Sequence, residues 1–501
     1  MIHAFIEGLF MVLQWKAMLY LCIGVVIGYM VGILPGLGGG TTLALMLPFI
    51  YKMTPGEAFA FLLGMHSVVQ TAGDITSILF GIPGEATTVA MIVDGYPMSK
   101  RGEAGRALGA GLTASLFGMI IGALVLLFSV PIVRPLVLSL GSPEMLMVIL
   151  LGLTCISSLS GKGKRALLLG LLAAGFGFMC SMVGQDRQAG ILRFTFGQLY
   201  LWNGLPLVPV MVGFFALPEI IDLAIRGTSI AGNLPEGKLT AGVWDGVRDV
   251  FKHFWMTVRC SLIGVVVGIL PGIGGGVAQW LSYAHAVQSA KTDEERAGFG
   301  KGDIRGVIGP GASTGKEGGA LIPTVAFGIP GSAAMAVLLG AFFIMGIVPG
   351  PDMLTKYLPL TFSFVWILVI ANIITVASSF FFINHMAKLT LVRGPIMIAF
   401  ILLLCFIGAY CENNDIGDVV VMLIFGWLGY LMVIYDFPRA PFILAFILGK
   451  MVETYFYIST TRYGLAWMYR PKVVVIFLLV VLAGAYPFIQ NKLRMRTGGN
   501  R

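Results

Sequence analysis

Apolar runs of roughly membrane-spanning length recur along the whole chain, at 17–34, 107–130, 143–160, 166–184, 198–221, 257–270, 357–383, 395–410, 418–434, 441–457 and 473–489. A helix needs about 20 such residues to cross the hydrocarbon core of a bilayer. Two further stretches, 35–94 and 271–347, are equally apolar but are interrupted repeatedly by Gly and Pro, and they do not read as plain spanning helices. The pattern predicts an all-α polytopic membrane protein.

Composition narrows the class. Of 501 residues, 57% are hydrophobic and 11% charged, where a soluble chain carries about 25% charged residues. So few charges cannot cover a soluble protein of this length. The same numbers exclude a nucleic-acid binder, a disulfide-built secreted domain and a transmembrane β-barrel. The lipid bilayer is therefore the first expected partner. The net charge of +9 reports topology: with the C-terminus cytoplasmic and the N-terminus outside, the inner connections hold 18 of the 33 Lys and Arg residues and the outer ones 8. The six cysteines form no C-x-x-C pair and read as free thiols. The first 15 residues lack the basic start of a cleaved signal peptide.

A duplication organises the chain. Residues 32–40 read GILPGLGGG and residues 268–276 read GILPGIGGG; FGIPG stands at 80–84 and again at 327–331. The charged insertion around 291–305 absorbs the difference between the two offsets. The loop after the first FGIPG falls inside by the charge count, and the loop after the second falls outside. The halves are thus expected to be inverted repeats, with 1–221 as the first, 222–256 as a cytoplasmic amphipathic linker and 257–501 as the second. Gly/Pro-interrupted segments at matching positions of inverted repeats point to a secondary transporter.

The chemistry of the breaks supports that reading. Pro35 and Pro271 lack the N–H that would continue a helix, and the following glycines tolerate unusual backbone angles. Unwound backbone in hydrocarbon costs several kcal/mol per unpaired group unless it lines a cavity. Carbonyls around Pro35, Gly36, Pro271 and Gly272 are therefore candidate ligands of a coupling cation. The next helices, expected to start near Thr41 and Val277, would aim their N–H groups at the cavity and favour an anion. That makes Gly38, Gly39, Gly40 and Thr41, with Gly274, Gly275 and Gly276, candidate substrate contacts. Gly84 and Thr87, and Gly331 and Ser332, follow the second break in each half and complete a central site. The four-residue spacings Gly28/Gly32/Gly36 and Gly264/Gly268/Gly272 read equally well as helix-packing faces.

Ionisable residues in these stretches need a partner or water, since a charge at the bilayer centre costs at least about 2.5 kcal/mol. Asp74 is a candidate cation or proton ligand. Lys316 is a candidate contact for a substrate carboxylate, against the alternative of an internal ion pair with Asp74 or Glu317. Gln279, Ser313 and Thr314 are neutral candidates, while His66 and His285 read as interfacial or core residues. GASTGKE departs from a phosphate loop at Pro310 and Glu317. Neither H-E-x-x-H nor G-x-S-x-G occurs, and no metal site or bound cofactor is expected beyond a coupling Na⁺ or H⁺. The chain does not read as an enzyme.

These residues carry a family resemblance. GILPGLGGG, then ILFGIPGEATTVAMIVDGYPMSKRGEAGRAL at 78–108, then GILPGIGGG and GGALIPTVAFGIPGSAAMAVLLGA, resemble the large membrane subunit of the tripartite tricarboxylate transporters over most of the chain. The resemblance implies a multi-pass subunit of the bacterial inner membrane. It would work with a small four-helix membrane subunit and a periplasmic solute-binding protein, importing small organic anions such as citrate by Na⁺ or H⁺ symport. A passive anion pore and a carboxylate symporter working alone are the rival readings. The family's Tyr-Tyr-Gly and Gly-Gly-Ser runs are here MHSVVQTAGDITS, and its Glu-x-x-Asn-Asn stretch is here Gly311–Lys316. Both departures fall where ligand contacts are expected.

Overall fold

The computed structural model describes residues 1–33, 38–159, 163–186, 190–226, 241–271, 275–389 and 394–497. Pro35, Gly36, Gly272 and Gly274 lie outside these residues, as does 227–240 of the expected linker.

The chain is built from helices, as the apolar runs require. The first series comprises α1 (Ile2–Leu13), α2 (Trp15–Ile33), α3 (Gly39–Met46), α4 (Pro55–Phe80), α5 (Val89–Lys100), α6 (Ala104–Leu138), α7 (Ser142–Leu159), α8 (Gly163–Ser181) and α9 (Leu207–Arg226). The second comprises α10 (Val243–Lys252), α11 (Phe254–Ile269), α12 (Gly275–Gln288), α13 (Asp293–Ala297), α14 (Arg305–Ala312), α15 (Lys316–Phe327), α16 (Ala333–Ile344), α17 (Leu358–Leu389), α18 (Gly394–Tyr410), α19 (Ile416–Ile434), α20 (Arg439–Tyr463) and α21 (Pro471–Thr497). A two-residue strand pair, Gly184–Gln185 with Leu192–Arg193, is the sheet seen among the described residues. Among the described residues, five helices are long and apolar enough to cross a membrane, and α10 meets α11 at a bend of 81°. The protein is an all-α multi-pass membrane protein.

The two series share their punctuation. α2 and α11 both stop at Ile just before the first break, and α3 and α12 both start on a glycine just after it. α4 and α15 both end on a left-handed glycine, Gly81 (φ 67°) and Gly328 (φ 68°), a conformation glycine adopts at little cost. Packing repeats as well: α2 lies on α4 as α11 lies on α15, while α1 packs on α17 and α10 on α6, so each series braces the other. The glycines of α2 and α11 explain the closeness. A Cβ at Gly28 or Gly32 would strike the Met65 or Val69 carbonyl, and one at Gly264 or Gly268 would strike those of Ser313 or Lys316. These four are packing glycines.

The stretch 35–94 is less broken than its Gly/Pro content implies. α4 runs uninterrupted for 26 residues through it and is buried from Ala58 to Leu79. Gly64 and Gly73 leave the helix intact because neighbours pack closely on them: Gly73 admits the backbone of Glu85 and Gly32. In the second series the matching element is divided into α14 and α15 by a 3-10 turn at Ser313–Gly315. α12 folds back along α11, where Ser282 Oγ donates to the Cys260 carbonyl and Cys260 Sγ to that of Ser282. The charged insertion is anchored to α5: Asp94 accepts the backbone N–H groups of Gly302 (2.7 Å) and Asp303 (2.9 Å) and the Tyr283 hydroxyl (3.0 Å).

Candidate functional site

The start of α3, the start of α12, the face of α4 and the start of α15 converge on one buried polar cluster. At the first corner, Glu85 accepts the Gly39 N–H at 3.1 Å through Oε1 and the Thr87 hydroxyl at 2.9 Å through Oε2. The N-terminus of α3 thus holds a carboxylate, as its orphan N–H groups and dipole favour, and that carboxylate belongs to the protein. Gly38 lies beside Glu85, and Gly40 packs near Ala334. Thr41 is buried within α3.

At the second corner, the Lys316 ammonium lies against Gly275, where a Cβ would strike it, and the Thr87 methyl group closes in from the other side. Gly276 is half-buried in the first turn of α12. A small cavity of ≈ 10 Å³, about the size of one water, is lined here by Gly275, Lys316, Glu317, Gly331 and Ser332, among others. Ser332 caps α16 by accepting the Met335 N–H. Gly84 and Gly331 occupy matching positions, pressed against the carbonyls of Gly32 and Gly268. They allow the two breaks of each series to meet.

The ionisable groups bridge the series. Lys316 Nζ is 2.6 Å from Glu317 Oε1, and Glu317 Oε2 is 3.0 Å from His66 Nε2. Gln279 donates to Asp74 Oδ1 at 3.4 Å and accepts the Ala90 N–H at 2.9 Å, joining α12, α4 and α5. Asp74 and Glu85 lie within electrostatic reach of each other and of Lys316. Three carboxyl groups and the His66 ring therefore surround one ammonium. Burying ions costs several kcal/mol each unless they are paired, and the carboxyl groups outnumber the positive charge available to pair with them.

Ser313 and Thr314 lie outside the cluster. Ser313 Oγ donates to the Pro310 carbonyl, and Thr314 Oγ1 donates to the carbonyls of Ser115 and Gly311. Pro271 stands in the turn that ends α11. Sequence reasoning missed Gln70: its amide is buried and has no hydrogen-bond partner among the described residues, like Asp74 Oδ2 and His66 Nδ1. The signal was present, because His66, Gln70 and Asp74 follow at i, i+4 and i+8 on one helix and share a face. A second, larger cavity of ≈ 1060 Å³, lined by Tyr51, Tyr200, Phe343, Glu412 and Lys450 among others, opens at the far ends of the two segments that begin at Gly39 and Ala333.

Comparison with known proteins fits this arrangement. The chain is 32% identical over 436 residues, 86% of its own length and 84% of the relative's, to an uncharacterized 52.8 kDa protein in the TAR-I ttuC′ 3′ region of Agrobacterium vitis. It is also 32% identical over 191 residues, 38% of this chain and 78% of the relative, to an uncharacterized protein in the TAR-II ttuC′ 3′ region of the same organism. No solved structure matches it. The tripartite tricarboxylate transporter TctA family matches residues 18–444, and the chain belongs to that family of membrane transporter components.

Proposed function

We propose that the chain is the large membrane subunit of a cation-driven importer of small organic anions, of the di- or tricarboxylate type, in the bacterial inner membrane. In this reading its C-terminus is cytoplasmic. A periplasmic solute-binding protein delivers the anion, and a small four-helix membrane subunit completes the translocator. The observation that carries the proposal is the buried cluster where helix N-termini from both series meet. Helix N-termini favour carboxylates, while Asp74, Glu85 and Glu317 outnumber Lys316 there. An anion can enter such a site only when positive charge enters with it, which is the electrostatic condition for symport. Inverted halves, 1–221 and 257–501 joined through 222–256, would open the cluster to either side by rocking one element against another.

The test is uptake of labelled citrate and succinate into proteoliposomes holding both membrane subunits, with and without the binding protein and a sodium or proton gradient. Accumulation that needs the gradient and the binding protein supports the proposal. Uptake that only equilibrates would make the protein a pore.

A further inference from the structure

We infer that the co-transported ion is a proton and that His66 is its seat. The inference rests on the symport reading and deepens it by naming the ion and the residue. His66 lies on α4, only 6% exposed. Its Nε2 meets Glu317 Oε2 at 3.0 Å, and Glu317 is held on its other oxygen by Lys316. A carboxylate so paired only accepts, so the ring carries its hydrogen on Nε2. The neutral ring then presents a bare lone pair on Nδ1. That atom has no partner among the described residues and is aimed at the first residue of α3. A Cβ built on Gly39 would lie 2.7 Å from Nδ1 and 3.4 Å from Glu85 Oε1. Nδ1 and the Glu85 carboxylate thus flank one point at the N-terminus of a helix.

The chemistry of that lone pair selects the ion. Imidazole is the side chain whose charge changes between about pH 5 and 8, and a nitrogen lone pair takes a proton by simple addition. The charged groups of the cluster around the ring are Glu317, in contact with it, Lys316 from α15, Glu85 from the segment before α5, and Asp74 from α4 itself; the carboxylates attract a cationic ring and the Lys316 ammonium repels it. On the other helices packed on α4 the described charged or titrating groups include His3 and Glu7 on α1, Lys16 on α2, Asp94 and Lys100 on α5, and Arg106 and Arg134 on α6; Asp94 is held by the Gly302 and Asp303 N–H groups. With the proton bound, the ring donates from both nitrogens. It keeps Glu317 of the second series and offers a cationic donor at the α3 corner of the first. A substrate carboxylate then meets a donor that the unprotonated site lacks. When proton and anion leave together, the site returns to its starting charge.

Two experiments decide the matter. The first uses the full chain with ¹⁵N-histidine in lipid nanodiscs. The five histidines are sorted by the resonance lost in His66→Gln. His66 is expected as the Nε2–H tautomer when unprotonated and as the doubly protonated ring when the proton is bound. An Nδ1–H tautomer, or a ring that stays neutral at every pH at which the protein remains folded, overturns the inference. The second entraps a pH dye in the proteoliposomes described above. Citrate uptake by the wild type should acidify the lumen. His66→Gln should lose both acidification and accumulation, while an unchanged helical circular-dichroism spectrum and elution volume in detergent show a folded carrier. Retained acidification in His66→Gln, or wild-type accumulation driven by sodium without acidification, overturns it. A wild type that carries neither citrate nor succinate would defeat the carboxylate reading, and the resonance experiment would still judge the proton seat.

Discussion

Breaking the Lys316–Glu317 pair from each side separates a structural ion pair from a ligand-binding one. The two side chains are 10% and 5% exposed, and their charged atoms are 2.6 Å apart. With an effective dielectric constant of about 20, the gross attraction at that distance is roughly 6 kcal/mol. Desolvation of two ions offsets most of it, so the pair contributes little net stability, whereas removing one partner strands the other at a cost of about 3–5 kcal/mol. The surroundings make the two losses unequal. Lys316→Met leaves Glu317, Glu85 and Asp74 without their ammonium, and its cost should fall at the high end. Glu317→Leu leaves the ammonium with Glu85 and Asp74 within reach, and should fall at the low end. The double variant should recover most of the loss. The assay is denaturant unfolding in detergent, run alongside uptake. Losses that simply add would refute the pairing argument. Uptake restored in the double variant would show that neither residue touches the transported anion.

Three further outcomes follow from the same geometry. Gly32→Ala and Gly268→Ala each place a methyl group on a neighbouring carbonyl and should cost about 1–3 kcal/mol, whereas Gly38→Ala, whose nearest neighbour would lie 3.9 Å away, should unfold like the wild type. Asp74→Asn removes one of the three carboxyl groups of the cluster, so the dependence of uptake on the driving cation should be lost or shifted to lower pH while the protein still inserts; an unchanged dependence would make Asp74 purely structural. Burial pushes Glu412, in the turn after α18, up to about 7 from 4.5. Its folded form favours the proton, so stability is highest below about pH 4.5 and falls as pH rises towards about 7, by at most about 3 kcal/mol. Glu412→Gln should flatten that slope in thermal unfolding.

Backbone punctuation was legible in the sequence because Pro and Gly act locally. The stops after Ile33 and Ile269 and the left-handed Gly81 and Gly328 lie where the motifs place them. The starts of α3 and α12 come two residues earlier than Thr41 and Val277, since glycine is tolerated in a first turn. The continuity of α4 was not legible. Glycines at 64 and 73 look like breaks until the neighbours that need their missing side chains are in place. Pairings across the duplication were least legible: His66 meets Glu317 across 251 residues, and Asp94 meets Gly302 across 208. No local pattern encodes such contacts. The hydroxyls of Ser313 and Thr314 looked available in sequence, but they follow a common habit of membrane helices and bond to carbonyls three residues back.

The duplication supplies two similar backbone corners, and substitution has made their charges unequal. Gly39 corresponds to Gly275, Glu85 to Ser332 and Gln70 to Glu317 by the two motif offsets. At the α3 corner the positive end of the helix already faces a carboxylate, Glu85. At the α12 corner the position matching Glu85 is a serine that caps its own helix, and the positive end of the helix faces the Lys316 ammonium. Two like-signed features meet there, held by Glu317. An incoming carboxylate would have to displace Glu85 at the first corner, while at the second it would relieve a repulsion. In the transport reading, the second corner is therefore the one that gains most from an anion, and the first supplies the negative charge that makes the accompanying proton necessary. A strictly symmetric pair would satisfy one of these requirements twice and the other not at all.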